Sequence, residues 1–94
     1  MNIDDYKNSV NLYMNDHPEQ RYGQALFNVL DIEYPELSKQ IIGSMNDPFY
    51  YDYKIPNFFI WLEKVEKIRL KQRAIIIGVF FAISIIIIMI ACFI

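Results

Sequence analysis

Few side chains in this sequence could do covalent or metal chemistry, and they are not paired for it. There is one histidine, His17, directly before Pro18, and one cysteine, Cys92, inside a long apolar run. Neither has a second His or Cys within reach, so the spacing of a metal-ligand set is missing. His17 reads as a surface or helix-end residue, and Cys92 as an inert thiol in an apolar helix. A single cysteine permits no intrachain disulfide, which fits a reducing compartment. Asp47 and Asp52 bracket an aromatic stretch, DPFYYD. Two carboxylates five residues apart on a loop suit a cation, but the alternating acids of a calcium loop are absent. Turn-forming and solvent-facing roles are expected for both. Ser9, Ser38 and Ser44 have no base beside them, and no Gly-rich phosphate loop exists. An active site needs a nucleophile, an acid or base, or a metal in a pocket. The expectation is therefore a non-enzymatic protein with no cofactor and no metal.

Binding chemistry is better represented. Phe49, Tyr50, Tyr51, Tyr53, Phe58, Phe59 and Trp61 place seven aromatics in thirteen positions. One reading is core, with tyrosine hydroxyls reaching solvent. A second is a partner-binding surface, because Tyr and Trp are enriched at interface hot spots. A third is a membrane-interface belt, but on a straight helix Trp61 stands ~20 Å from the apolar run, too far for a belt. Phe49, Tyr50, Tyr51, Tyr53 and Trp61 are the candidate partner-binding residues.

Charge is laid out in three blocks. Residues 1–59 carry nine acids and four bases, a balance of −5. Residues 60–73 carry two acids and five bases, Lys64, Lys67, Arg69, Lys71 and Arg73, a balance of +3. Residues 74–94 carry no charge. The N-terminal part lacks the basic surface that duplex nucleic acid requires. The five juxtamembrane bases suit anionic lipid instead.

The uncharged block, AIIIGVFFAISIIIIMIACFI, has 21 residues, ten of them Ile. As a helix it spans ~31 Å, against a hydrocarbon core of ~30 Å. Its fourteen Ile, Val and Phe residues favour insertion by roughly 4 to 8 kcal/mol at most. A single transmembrane helix follows. Residues 1–10 are polar and lack the apolar centre of a signal peptide. With all flanking bases on the N-terminal side, the positive-inside rule places that side in the cytoplasm. This is a tail-anchored layout, expected at a host inner membrane. Ala74, Gly78 and Ala82 fall at spacings of four and form a small-residue stripe that lets two membrane helices approach.

The elements that must position these groups are helices. Tyr6, Val10, Tyr13 and Met14 fall on one face of a first helix near residues 4–15, with Ile3 at its edge. Asp4 and Asp5 suit its N-terminal dipole, and His17-Pro18 should end it. Pro18 is expected to open a second helix near residues 19–31, with Tyr22, Ala25, Leu26, Val29 and Leu30 inward. Gly23 lies inside it at a cost of about 1 kcal/mol relative to Ala, a place for close packing. Pro35 opens a third helix to about Ile42, with Leu37, Ile41 and Ile42 inward and Gly43 as its stop. Residues 44–55 read as loop around the Asn46-Asp47-Pro48 turn signal. Pro56 starts a last helix with Phe58, Phe59, Trp61, Leu62, Val65 and Ile68 on apolar faces. Glu63 with Lys67 and Glu66 with Arg69 have pairing spacing. Nothing breaks this helix before the end of the anchor.

The words RYGQALFNVL (residues 21–30), PEL (residues 35–37), IIGS, DPFYYD and IPNFFIWLE (residues 55–63) resemble a group of short uncharacterised proteins of tailed bacteriophages and some bacterial genomes. The likeness runs from Arg21 to Trp61. It implies a phage origin and no particular reaction. It marks Arg21, Gly23, Gln24, Asp47, Pro48 and Asp52 as motif residues. The usual members stop soon after the Trp, whereas this chain continues into an apolar helix.

The expected fold is all-α: a small three-helix N-terminal bundle packed on the start of one long helix that continues as the transmembrane helix. Its parts are a cytoplasmic helical domain (residues 1–57), an amphipathic basic juxtamembrane helix (58–73) and the anchor (74–94). The leading functional expectation is a non-enzymatic interaction module with membrane lipid and a protein partner or a second copy as its contacts. The alternative is a membrane-active effector, holin-like or regulating lysis or superinfection, that assembles through the anchor.

Overall fold

The computed structural model describes residues 1–93, so Ile94, the last residue of the expected anchor, lies outside it. All regular structure among these residues is helical. The order is α1 (Ile3–Asp16), α2 (Tyr22–Glu33), α3 (Pro35–Ile41), a 3-10 turn (Asp52–Lys54) and α4 (Ile55–Phe93).

The Asn2 side-chain oxygen accepts the Asp5 backbone N–H at 3.1 Å and caps α1, with Asp4 and Asp5 in the first turn. This starts the helix one residue before the acids. At the other end the His17 amide donates to the Met14 carbonyl at 3.3 Å. The His17 ring stacks on Tyr13 with centroids 4.0 Å apart, its Nδ1 2.9 Å from the Tyr13 carbonyl oxygen.

Pro18 does not open α2. Residues 18–20 form a turn closed by the Gln20 amide on the His17 carbonyl at 3.1 Å. The helix begins at Tyr22 because the Gln24 side chain reaches back and accepts the Arg21 N–H at 3.1 Å. That is one half of a capping box; an arginine side chain has no acceptor with which to make the other half. Tyr22, expected inward, stands 38 % exposed.

Pro35 occupies the first turn of α3, where its missing N–H costs nothing. The buried Ser38 hydroxyl donates to the Asp31 carboxylate at 2.6 Å and ties α3 to α2. Gly43 takes a φ of 73°, the left-handed stop that its lack of a Cβ permits. Ile42 is the cap residue before it, and that reversal turns its side chain outward rather than into the core.

The core joins Tyr6 and Val10 of α1, Ala25, Leu26, Val29 and Leu30 of α2, Leu37 and Ile41 of α3, and Phe58 and Leu62 of α4. Phe59, Trp61 and Val65 pack at its edge, and Met1, Ile3, Tyr13 and Met14 close it from the α1 side. The Tyr6 hydroxyl donates to the Leu26 carbonyl within this core. Its burial, with Tyr22 and Glu33 nearby, holds the phenol pKa well above its ordinary value. The core ends near Val65; Ile68 is exposed, because no short helix reaches that far along α4. Neither Glu63–Lys67 nor Glu66–Arg69 closes as an ion pair. Among the described residues the ion pair is Arg21–Asp52.

Beyond the core α4 continues alone. It is long and apolar enough to cross a membrane, and none of its most apolar stretch is covered by the rest of the molecule. Its 39 residues correspond to ~58 Å of helix, most of the 68 Å length of the molecule.

Candidate functional site

The segment between α3 and α4 is a tightly bonded loop. Asp47 is 5 % exposed, not solvent-facing as expected. One of its carboxylate oxygens accepts the Gly43 N–H at 2.8 Å and the other accepts the Phe49 N–H at 3.0 Å. A carboxylate accepting two backbone amides fixes the turn on both sides of Pro48. Lys54 adds a clasp: its Nζ donates to the Ser44 carbonyl at 3.4 Å and stands 5.2 Å over the Tyr51 ring.

This loop docks on the first turn of α2. Arg21 Nη2 donates to the Phe49 carbonyl at 2.8 Å and Nη1 to Asp52 Oδ1 at 2.9 Å. Gly23 is buried directly under the loop: a Cβ there would run into the Pro48 carbonyl oxygen and lie 3.0 Å from Asp52 Oδ1. Gln24, one residue further, sets the helix start that aims Arg21. Arg21, Gly23, Gln24, Asp47, Pro48 and Asp52 thus share one junction, although about 23 to 31 positions of sequence separate its two sides. Sequence spacing alone does not reveal this contact.

The junction presents aromatic side chains. Phe49 turns inward, edge-on to Phe27 at 5.8 Å, and Tyr50 packs edge-on to Phe49 at 4.8 Å. Tyr51 and Tyr53 lean on each other at 5.5 Å. Tyr50, Tyr51 and Tyr53 remain 71, 54 and 67 % exposed. Beside Tyr50 a hollow of about 150 Å³ is lined by Phe27, Ile42, Asp47, Phe49 and Tyr50. Trp61 does not join the tyrosines. It packs on Phe58 at 6.0 Å and lines a second hollow with Asn46, Asn57, Ile60 and Lys64.

Lys64, Lys67, Arg69, Lys71 and Arg73 all project from α4 into solvent. The Met1 ammonium is within electrostatic reach of Arg69 and Arg73. Burial lowers its pKa, and Arg69 and Arg73 lower it further. In the apolar stretch Ala74, Gly78 and Ala82 are exposed on one stripe, with open space at Gly78. The Ser84 hydroxyl donates to the Phe80 carbonyl at 3.0 Å, so this polar group is satisfied within its own helix.

Comparison with family models, curated proteins and solved structures finds no match to this chain.

Proposed function

We propose that this chain is a single-pass membrane protein whose helical headpiece acts as a non-enzymatic protein-interaction module at the cytoplasmic face. The observation that carries the reading is the contrast within the loop. Its backbone is pinned by Arg21, Asp47 and the close approach of Gly23, while Tyr50, Tyr51 and Tyr53 face solvent. Exposed tyrosines on a pinned backbone offer a large contact area with little backbone entropy to lose on binding.

The membrane part rests on the long uncovered helix. Residues 67–73 are exposed and free of the core, and they span ~10 Å, enough to cross one headgroup layer of roughly 5 to 8 Å. The headpiece then sits just above the lipid, with the five bases at the anionic surface. The likeness of the motif words to tailed-phage proteins supports a phage origin and a host inner membrane.

The test is co-purification from membranes. Tyr50, Tyr51 and Tyr53 changed together to Ser should abolish capture of a partner, with helix content unchanged by circular dichroism. Capture at the original level would reject the reading.

A second reading, a membrane-active effector that assembles in the bilayer, is favoured by the open stripe at Ala74, Gly78 and Ala82. Gly78→Leu should then remove its effect on membranes, and residues 60–94 alone should retain it.

A further inference from the structure

A second surface lies on the other side of α2 from the aromatic loop. Phe27 faces the loop, whereas Val29 and Ile32 face a groove shared with Ser9, Leu12 and Tyr13 of α1. The groove holds about 260 Å³. Leu12 and Ile32 are 68 and 69 % exposed, the most exposed aliphatic side chains on these two helices. They stand outside the core that the opposite face of α1 builds with Tyr6 and Val10.

The rim of this groove carries one sign of charge. Asp5, Ser9, Leu12 and Asp16 fall at i, i+4, i+7 and i+11, on one face of α1. Glu33 lines the α2 wall. Asp5, Asp16 and Glu33 are all exposed. Neither groove helix offers them a base, none lines the groove, and none of the three acids is in an ion pair among the described residues: α2 has no base, and Lys7, the single base of α1, stands 5.2 Å over the Phe59 ring on another side.

We propose that this groove docks an amphipathic helix of a partner protein, one that presents aliphatic side chains flanked by lysine or arginine. Two packed helices with an open seam receive a third helix through its own apolar ridge, and an acidic rim selects basic flanks. An anionic bilayer is excluded by the same rim. A neighbouring copy fits poorly. Its one basic amphipathic segment is the stem, residues 60–73. The start of α1 lies beside that stem, and Tyr6 and Lys7 pack against Phe58 and Phe59 further up. Ser9 and Leu12 therefore lie ~12 to 16 Å beyond Met1 along α1, above the level of a stem in the same membrane.

The test uses the full chain, methyl-labelled, in phosphatidylcholine nanodiscs. The probe is a synthetic helical peptide with Leu at positions 1, 4, 8 and 11 and Lys at the remaining charged positions. Its controls are the same composition with leucines spread around the helix, and a Lys-to-Glu version. Saturable methyl shifts at Leu12, Val29 and Ile32 are expected with the first peptide alone. Leu12→Asn with Ile32→Asn should weaken binding at least tenfold, and neutralising Asp5, Asp16 and Glu33 together should weaken it several-fold. Tyr50 does not line the groove, so Tyr50→Ser should leave the groove methyl shifts and the peptide affinity as they are, whatever it does to capture through the loop. The proposal is overturned by absence of shifts at millimolar peptide, by equal binding of a control peptide, or by shifts confined to the loop. It is also overturned if the groove methyls shift without peptide as protein density in the disc rises, which would assign the groove to a second copy.

Discussion

The guanidinium of Arg21 holds Asp52 across 31 positions of sequence, with a nitrogen-to-oxygen distance of 2.9 Å, while its other nitrogen holds the Phe49 carbonyl. One planar fork thereby fastens the chain on both sides of Tyr50 and Tyr51, one residue short of Tyr53, to the start of α2. The pair is open to water, with side-chain exposures of 43 and 58 %. Its role is to set the position of the loop more than to stabilise the fold.

Arg21→Lys should separate those two roles. A lysine keeps the charge but cannot reach two acceptors in fixed geometry. An exposed pair of this kind contributes about 0.2 to 1 kcal/mol, so thermal unfolding of the headpiece should shift by only a few degrees. Amide exchange at Tyr50 to Tyr53 should nevertheless rise, and partner capture should fall. A loop as protected in the lysine variant as in the parent would show that Asp47 alone fixes it.

Gly23→Ala pits two effects against each other. Helix propensity favours alanine by about 1 kcal/mol. The added Cβ meets the Pro48 carbonyl, a backbone atom that cannot rotate away. Overpacking of that kind costs about 1 to 3 kcal/mol, so the variant should be net destabilised, by up to about 2 kcal/mol. Denaturant unfolding of the full chain in micelles, followed by near-ultraviolet circular dichroism, measures it. A stabilised variant would mean that the loop lifts off α2 at no cost.

Much of the backbone was legible in the sequence, and the reason is local chemistry. Pro35 and Gly43 bound α3 through their own φ angles, and His17-Pro18 ends α1. The apolar faces of Val10, Leu26, Val29 and Leu30 follow helical spacing. Where the reading failed, a longer-range or more specific contact decided. Pro18 looked like a helix start, but Gln24 places that start at Tyr22. Ile42 and Ile68 fit an apolar face, yet one lies at a reversal and the other beyond the last packed turn. Asp47 looked like a surface turn residue because the amides of Gly43 and Phe49 that bury it become neighbours only once the loop has closed.

Alkaline pH should act on the core through Tyr6. Burial disfavours its phenolate, so the folded pKa lies above the unfolded value of ~10. Its contribution to stability is fully present below that pH and is lost as pH rises beyond it, because the unfolded chain ionises first. Burial raises the Tyr22 pKa in the same sense. Stability measured by denaturant should therefore fall as pH rises above about 10, and Tyr6→Phe should flatten that fall. At neutral pH the same variant should cost only about 0.5 to 1.5 kcal/mol, since the Leu26 carbonyl keeps its place in the helix.

The fourteen Ile, Val and Phe residues of the apolar block favour insertion by roughly 4 to 8 kcal/mol at most. Ile83→Lys with Ile87→Lys places two charges near its centre, each costing about 2.5 to 3.5 kcal/mol and each removing an isoleucine. The sum, roughly 6 to 8 kcal/mol, cancels the driving force. The parent chain should stay in the membrane pellet after alkaline carbonate extraction, and the double variant should leave it. Lys67→Ala with Lys71→Ala removes two bases of the stem without touching the apolar block, so that variant should remain in the pellet but bind anionic vesicles with a weaker salt dependence. If the double isoleucine variant pelleted like the parent, residues 74–93 would not be holding the chain in lipid, and the long helix would need a protein partner along its length instead.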